Sequence, residues 1–307
     1  MKGGTGKYSG VIVPAITPVN RDMSLDGDSF AGLMKTFTKN RLSVFLLGTT
    51  GESTSVAEAD RTRLVELAMK YRSEEISVFA GIPANSMADA IRTARLYADL
   101  GVDAVVSHLP FYYPISVDRI ADYFEEIADN STCPVILYNN PATVRQSIPV
   151  EIADKLSHHR NIAGLKDSER GIERLNMSLE LWKDRDDFDF LLGWAAQSAY
   201  ALVNGARGIV PSTANLTPKL YRELYDAAVS GNAEMAEMYQ VLTDRVSEVN
   251  QAGRLINESI PALKVIMSVY GLCKPFVLPP MYMPGDTARE ELTHAISKLM
   301  GDNRIEV

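Results

Sequence analysis

Lys166 closes the run Asn161-Ile-Ala-Gly-Leu-Lys166, which reads as a short buried strand with a cation at its C-terminal end. Lysine is strongly hydrated and is almost never fully buried unless it is paired or used. An α/β barrel keeps its chemistry at the C-terminal ends of its strands. A lysine placed there can form a Schiff base with a carbonyl substrate. The amine has to be neutral to attack, a free lysine titrates near ~10.4, and an apolar wall lowers that value. The alternative is a lysine that leans out of a strand end into water.

Three other strand ends carry polar groups that complement this lysine. In Gly48-Thr-Thr-Gly-Glu-Ser53, two glycines around Thr49 and Thr50 give a tight turn with exposed N–H groups and two hydroxyls. A helix following that turn would add its positive dipole end, which makes the segment a carboxylate pocket by composition. An ordinary turn with an N-cap has the same composition. His108-Leu-Pro-Phe-Tyr-Tyr-Pro114 sets Tyr112 and Tyr113 on a rigid loop. Phenols there can relay protons or hydrogen-bond a carboxylate, or pack at an interface. Leu137-Tyr-Asn-Asn-Pro141 puts Tyr138 at a strand end, on the face of Lys166 if the chain is a barrel. A phenol near an imine carbon can shuttle protons while the carbinolamine forms and a C–C bond breaks.

The elements that must hold these groups follow from the hydrophobic periods. Short β-rich runs at Gly10–Ile16, Ser43–Leu47, Ile76–Ala80, Ala104–Ser107, Val135–Tyr138, Ile162–Lys166, Phe188–Leu192 and Gly208–Val210 alternate with helical stretches. Among the latter are Asp28–Lys39, Ala57–Tyr71, Ser86–Leu100 and Val117–Ala128. This is the pattern of parallel strands joined by helices. Ser86 and Ser116 are candidate N-caps, and Gly101 is a candidate helix end. The expectation is an α/β fold, a (β/α)8 barrel. An open doubly wound sheet ranks second, because no GxGxxG follows the first strand. After Asn215 only helical periods remain, at Pro218–Ser230, Ala233–Gln251, Ser259–Tyr270 and Thr287–Met300. Residues 1–215 are therefore expected to form the barrel, and 216–307 a helical region packed on it.

Composition narrows the functional classes. A chain of 307 residues buries roughly three quarters of its unfolded surface. The net charge of −8 argues against a nucleic-acid partner. Cys133 and Cys273 lie far apart without metal spacing, and His158-His159 belongs to no metal motif. Neither a metal site nor a disulfide framework is expected, as suits a reducing cytoplasm. No apolar run reaches the ~20 residues a membrane span requires. Met1–Lys7 lacks a signal peptide's apolar core and fails the phosphate-loop spacing; it reads as a flexible leader.

Taken together, GTTGES at 48–53, PFYYP at 110–114, LYNNP at 137–141, GLKDS at 164–168 and GIVPSTAN at 208–215 make the chain resemble the dihydrodipicolinate synthase / N-acetylneuraminate lyase family of class I aldolases. The resemblance covers roughly residues 8–300. It implies a Schiff base on Lys166 with no metal or organic cofactor, and Thr49 and Thr50 holding the carboxylate of a pyruvyl group. It implies Tyr138 as acid/base phenol, Tyr112 lent to the same relay by a neighbouring subunit, and Val210 as an apolar contact of the pyruvyl end. A homotetramer, as a dimer of dimers, is the assembly it implies.

Two departures bear on the substrate. Dihydrodipicolinate synthases carry an arginine two residues after the proline of YNxP; here Thr143 stands there, with Arg145 two residues further on. Sialic acid lyases carry an acidic pair after the glycine that ends the seventh strand; here Gly193 is followed by Trp194-Ala195-Ala196. Thr143, Ser168 and Trp194 are expected to contact the substrate, Trp194 at its distal end. The expectation is a class I lyase, aldolase or dehydratase, acting on a 2-oxo acid with pyruvate as the common substrate or product. Dihydrodipicolinate synthesis comes second and sialic acid cleavage third. A 2-oxo acid sensor without turnover and a metal-dependent barrel enzyme are the rivals from other classes.

Overall fold

The structure is a computed structural model that describes residues 7–302 and 304–307. Of the leader expected at residues 1–7, all but Lys7 lies outside the described residues. Eight parallel strands form a closed barrel in chain order. They are β1 Gly10–Pro14, β2 Ser43–Leu46, β3 Val78–Ile82, β4 Ala104–His108, β5 Val135–Asn139, β6 Ile162–Asp167, β7 Asp189–Leu192 and β8 Gly208–Ile209. The helices are α1 Gly27–Lys39, α2 Glu58–Tyr71, α3 Met87–Asp99, α4 Ile120–Asn130, α5 Pro141–Val144 and α6 Val150–Leu156. They continue with α7 Ile172–Trp182, α8 Ser198–Val203, α9 Pro218–Val229, α10 Ala233–Gln251, α11 Ile256–Val269 and α12 Asp286–Leu299. The fold is the (β/α)8 barrel expected, with further helices after the last strand. None of the described helices is long and apolar enough to cross a membrane.

Side chains alternate across each strand, so one parity fills the barrel and the other meets the helices. Ile12, Phe45, Phe79, Val106, Ile136 and Leu191 pack together inside the barrel. Val11, Val13, Val44, Leu46, Leu137 and Leu165 join the larger core between sheet and helices. The same alternation fixes the chemistry. Tyr138 pairs in register with Lys166, and both belong to the inward parity. Asn139 pairs with Asp167 on the outward parity, and their side chains hydrogen-bond at 2.9 Å.

Helix ends follow local rules where a polar side chain is available. Asp26, Ser86 and Asn232 each accept a backbone N–H in the first turn of α1, α3 and α10. Gly101 follows α3 at φ +91°, a left-handed conformation that glycine adopts freely. Ser116 makes no capping bond, because the chain first winds as a 3-10 turn over Val117–Arg119 before α4 begins. The third strand runs from Val78 to Ile82 rather than from Ile76 to Ala80. Gly81 looks like a strand breaker in sequence. In the fold it is a close approach, since a Cβ there would stand 2.2 Å from the Leu47 carbonyl oxygen.

Candidate active site at the C-terminal ends of the strands

Lys166 stands at the C-terminal end of β6 and is buried, 5% exposed. Its Nζ lies 4.0 Å from the Tyr138 ring centre and 4.5 Å from that of Phe45. The amine is thus held between two aromatic faces with little water around it. Burial pushes the ammonium below the ordinary lysine value, and the Tyr138 phenol holds it back only in part. Burial alone would raise the Tyr138 phenol; the Lys166 charge and the Thr49 and Ser168 side chains outweigh it and bring the phenol down. Amine and phenol are therefore neighbours that can pass one proton between them. Desolvation lowers the lysine whatever the state of the phenol.

The threonine turn after β2 comes to the same place. Thr49 Oγ1 and Tyr138 Oη lie 3.1 Å apart. Gly51 N donates to Gly48 O at 3.1 Å and Glu52 N to Thr49 O at 3.1 Å. Among the described residues, the amides of Thr49 and Thr50 find no acceptor within the turn. Thr49 and Thr50 both line the cavity above Lys166. The helix dipole expected here is absent, because turns continue to Val56 and α2 starts only at Glu58.

A cavity of about 560 Å³ opens above these groups. Lys166, Tyr138, Thr49, Thr50, Ser168 and Val210 line its inner end. Val210 is 4% exposed and donates its N–H to Leu192 O at 2.8 Å. Gly193 also lines it; a Cβ there would stand 2.1 Å from Ser168 Oγ, so only glycine leaves that hydroxyl its place. Trp194 lines the outer part while packing its other side against the main core.

Three expected positions lie elsewhere. Thr143 is exposed and lines a second cavity of about 340 Å³, separated from the first by Thr49 and Tyr138. Arg145 is an exposed left-handed cap of α5 at φ +58° and lines neither cavity. Tyr112 is 72% exposed and lines neither cavity of its own chain. It stacks edge-on with Tyr113 at 4.8 Å between ring centres.

Several residues around the site escaped the sequence reading. Asn140, the second asparagine of LYNNP, donates from Nδ2 to Tyr138 Oη at 3.0 Å and to Thr49 Oγ1 at 3.3 Å. Its place two residues after Tyr138, directly before Pro141, was the available signal. Ser247 and Gln251 of α10, with Ile260 and Leu263 of α11, roof the cavity. Arg170 stands at the rim and has no ion-pair partner among the described residues. Behind Lys166, Asp167 takes the Arg174 guanidinium at 2.7 Å and anchors the strand end to α7. Glu52 of the threonine turn forms an ion pair with Lys264 of α11, both side chains fully buried. A lysine inside the apolar stretch of α11 was legible as an oddity. Among the described residues, no group of His, Cys, Asp or Glu could hold a metal ion.

The sequence profile of the dihydrodipicolinate synthetase family matches residues 7–299. An uncharacterized DapA-like lyase from Thermofilum pendens is 30% identical over 303 residues, 97% of this chain and 99% of the relative. A 4-hydroxy-tetrahydrodipicolinate synthase from Shewanella denitrificans is 32% identical over 233 residues, covering 75% of this chain and 78% of the relative. The structure of dihydrodipicolinate synthase from Bacteroides thetaiotaomicron superposes with a TM-score of 0.89 at 26% identity, covering 96% of this chain and 99% of that one. With the barrel, the buried lysine and the threonine turn already in place, these matches make the chain a lyase that belongs to the dihydrodipicolinate synthetase family.

Proposed function

We propose that this lyase cleaves or forms a bond next to C3 of a 2-oxo acid through an imine on Lys166, with pyruvate as the common substrate or product. The observation that carries the reading is a desolvated Lys166 amine 4.0 Å from the ring centre of a phenol that is itself hydrogen-bonded to Thr49. The neutral amine adds to the C2 carbonyl, water leaves, and a cationic imine forms. Tyr138 moves the protons of the addition and of the water loss. The imine then accepts the electron pair of the C3–C4 bond in an aldol cleavage, or of a C3–H bond before a C4 hydroxyl leaves in a dehydration. Either path passes through an enamine. After cleavage, in which the C4 hydroxyl gives up its proton and C4 leaves as a carbonyl, the enamine takes a proton at C3, whereas in the dehydration it expels the C4 hydroxyl as water. Water then hydrolyses the imine and releases the product. No cofactor is needed for this sequence, because the imine is the electron sink. The two N–H groups and two hydroxyls at Thr49 and Thr50 bind the carboxylate throughout. Val210 closes the apolar side of the pyruvyl end, with Ser168 beside C3.

Neither expected recognition device for the distal half is present in the cavity. Thr143 faces the other cavity and Arg145 neither, which disfavours a second carboxylate in the manner of dihydrodipicolinate synthesis. Trp194, Ala195 and Ala196 stand where an acidic pair would bind sugar hydroxyls. The aromatic loop supports an assembly in which Tyr112 serves a neighbouring subunit. Large rings exposed together usually mark an interface, and a two-fold pair would exchange them symmetrically. Within a cell, a reducing cytoplasm suits the two buried free thiols.

Borohydride trapping tests the central step. Pyruvate with borohydride should leave a reduced adduct on Lys166, and Lys166→Arg should lose adduct and turnover together. An adduct on Lys274 or Lys264, or none on the folded protein with any 2-oxo acid, would overturn the reading.

A further inference from the structure

We infer that Asn140 is a positioning residue that holds the Tyr138 oxygen as a hydrogen-bond acceptor and thereby sets its acidity from within the same subunit. The inference rests on the imine chemistry proposed above for its use, but on geometry alone for its existence. Asn140 is 5% exposed and follows β5 directly, as the residue that precedes Pro141 of α5. Its backbone carbonyl is occupied, accepting from Thr143 N at 3.0 Å, so the residue is fixed at both ends.

The three atoms Asn140 Nδ2, Tyr138 Oη and Thr49 Oγ1 form a nearly equilateral triangle, with sides of 3.0, 3.1 and 3.3 Å. Two oxygens in such a triangle subtend about half the angle between the two hydrogens of an amide. One N–H is therefore shared between the oxygens, with the shorter arm to Tyr138. An amide nitrogen donates and cannot take a proton. The relay therefore has a fixed end: a proton leaving Tyr138 goes to Thr49, to Lys166 or to the substrate, never to Asn140. When Tyr138 has given its proton up, the same N–H becomes a donor to an anion, and such charge-assisted bonds are the stronger kind. Asn140 thus favours the phenolate and opposes the effect of burial on Tyr138. Loss of the donor should raise the titration of Tyr138 by about one pH unit, the scale of one hydrogen bond to a charged group.

The test follows Tyr138 directly, by carbon-13 labelling of tyrosine and titration of its ring resonance, assigned by Tyr138→Phe. Asn140→Val removes the donor and keeps the bulk. Asn140→Asp keeps the shape and adds a like charge. The expected order of titration is wild type lowest, Asn140→Val about one unit higher, and Asn140→Asp higher still. In turnover, the pH limb that belongs to Tyr138 should move up by the same amount in Asn140→Val, kcat at neutral pH should fall about tenfold, and KM should change less than about threefold. Borohydride trapping on Lys166 should persist. An unchanged Tyr138 titration in either folded variant overturns the inference, as does full activity of Asn140→Asp. Failure of trapping in the wild type together with the expected titration order would overturn the imine reading and leave this one standing.

Discussion

Replacing Lys264 by methionine should destabilise the protein by about 3–5 kcal/mol, the range for breaking a buried ion pair from one side. Lys264 and Glu52 are both fully buried at the side chain. Lys264 Nζ also donates to Thr17 O at 2.7 Å, and Glu52 Oε2 accepts from Leu278 N at 2.6 Å. Methionine matches the lysine stem in volume, so little cavity opens; the cost is that of leaving the Glu52 carboxylate without its cation. An unfolding entropy of about 2.1 cal/mol/K per residue over 307 residues turns that cost into a fall of about 5–8 °C in melting temperature. Glu52 belongs to the turn that carries Thr49 and Thr50 and is itself held at φ +55°. The variant should therefore bind pyruvate more weakly as well, because the turn loses its tether to α11. Differential scanning calorimetry of Lys264→Met, Glu52→Gln and the double variant closes a cycle in which the double variant is more stable than the sum of single losses, by about 2 kcal/mol or more. Additive losses, or a fall under about 1.5 °C for Lys264→Met, would refute a charge pair that ties the turn to α11.

Lys166→Met should abolish trapping yet raise stability, since wild-type burial holds Lys166 below its ordinary value of 10.5. Below the folded value both states are protonated and the penalty is complete; it fades as pH rises towards the unfolded value. The melting advantage of Lys166→Met should therefore shrink between neutral pH and about 10.4, and an advantage that grows with pH would contradict the sign. Aspartate semialdehyde should be a poor partner for pyruvate in a condensation assay. Efficient condensation lost in Arg170→Ala but kept in Arg145→Ala would show that the rim arginine takes the second carboxylate. Trp194→Ala should shift the preference among aldehydes and spare pyruvate trapping; equal loss on every substrate with a lower melting temperature would make Trp194 a packing residue only. Mixing inactive Tyr112→Phe with inactive Lys166→Arg under subunit exchange should restore activity, and proven exchange without recovery would confine Tyr112 to its own chain.

The barrel was legible because β-rich runs and amphipathic helices alternate at regular spacing, and Lys166 was legible because lysine is out of place at the end of Ile162-Ala-Gly-Leu. The pairing of Tyr138 with Lys166 needed only two neighbouring strands of the same parity. What stayed hidden depends on tertiary placement. Gly81 breaks a strand pattern on paper, but here it lets two strands approach where a Cβ would meet the Leu47 carbonyl. Ser247 and Gln251 read as the solvent face of an amphipathic helix; docking of α10 over the strand ends turns that face into a cavity roof. The dipole assigned to the threonine turn failed for the opposite reason. A helix does follow in sequence, but turns running to Val56 separate it from the site.

The two halves of the cavity are built from different parts of the chain, and this explains how one can change without the other. The inner half hangs on strand ends whose positions are set by ladder register: Lys166 on β6, Tyr138 on β5, Val210 just beyond β8. Moving any of them by one residue would turn it to the other face of the sheet. The outer half hangs on segments free of that constraint, namely the Trp194–Ala196 stretch after β7, the Arg170 rim and the roof from α10 and α11. Such segments tolerate substitution because they belong to no ladder. A buried link between the halves is the Glu52–Lys264 pair, which ties the threonine turn to the helix that supplies Ile260 and Leu263 to the roof. The outer residues can therefore change while α11 continues to hold the threonine turn in place.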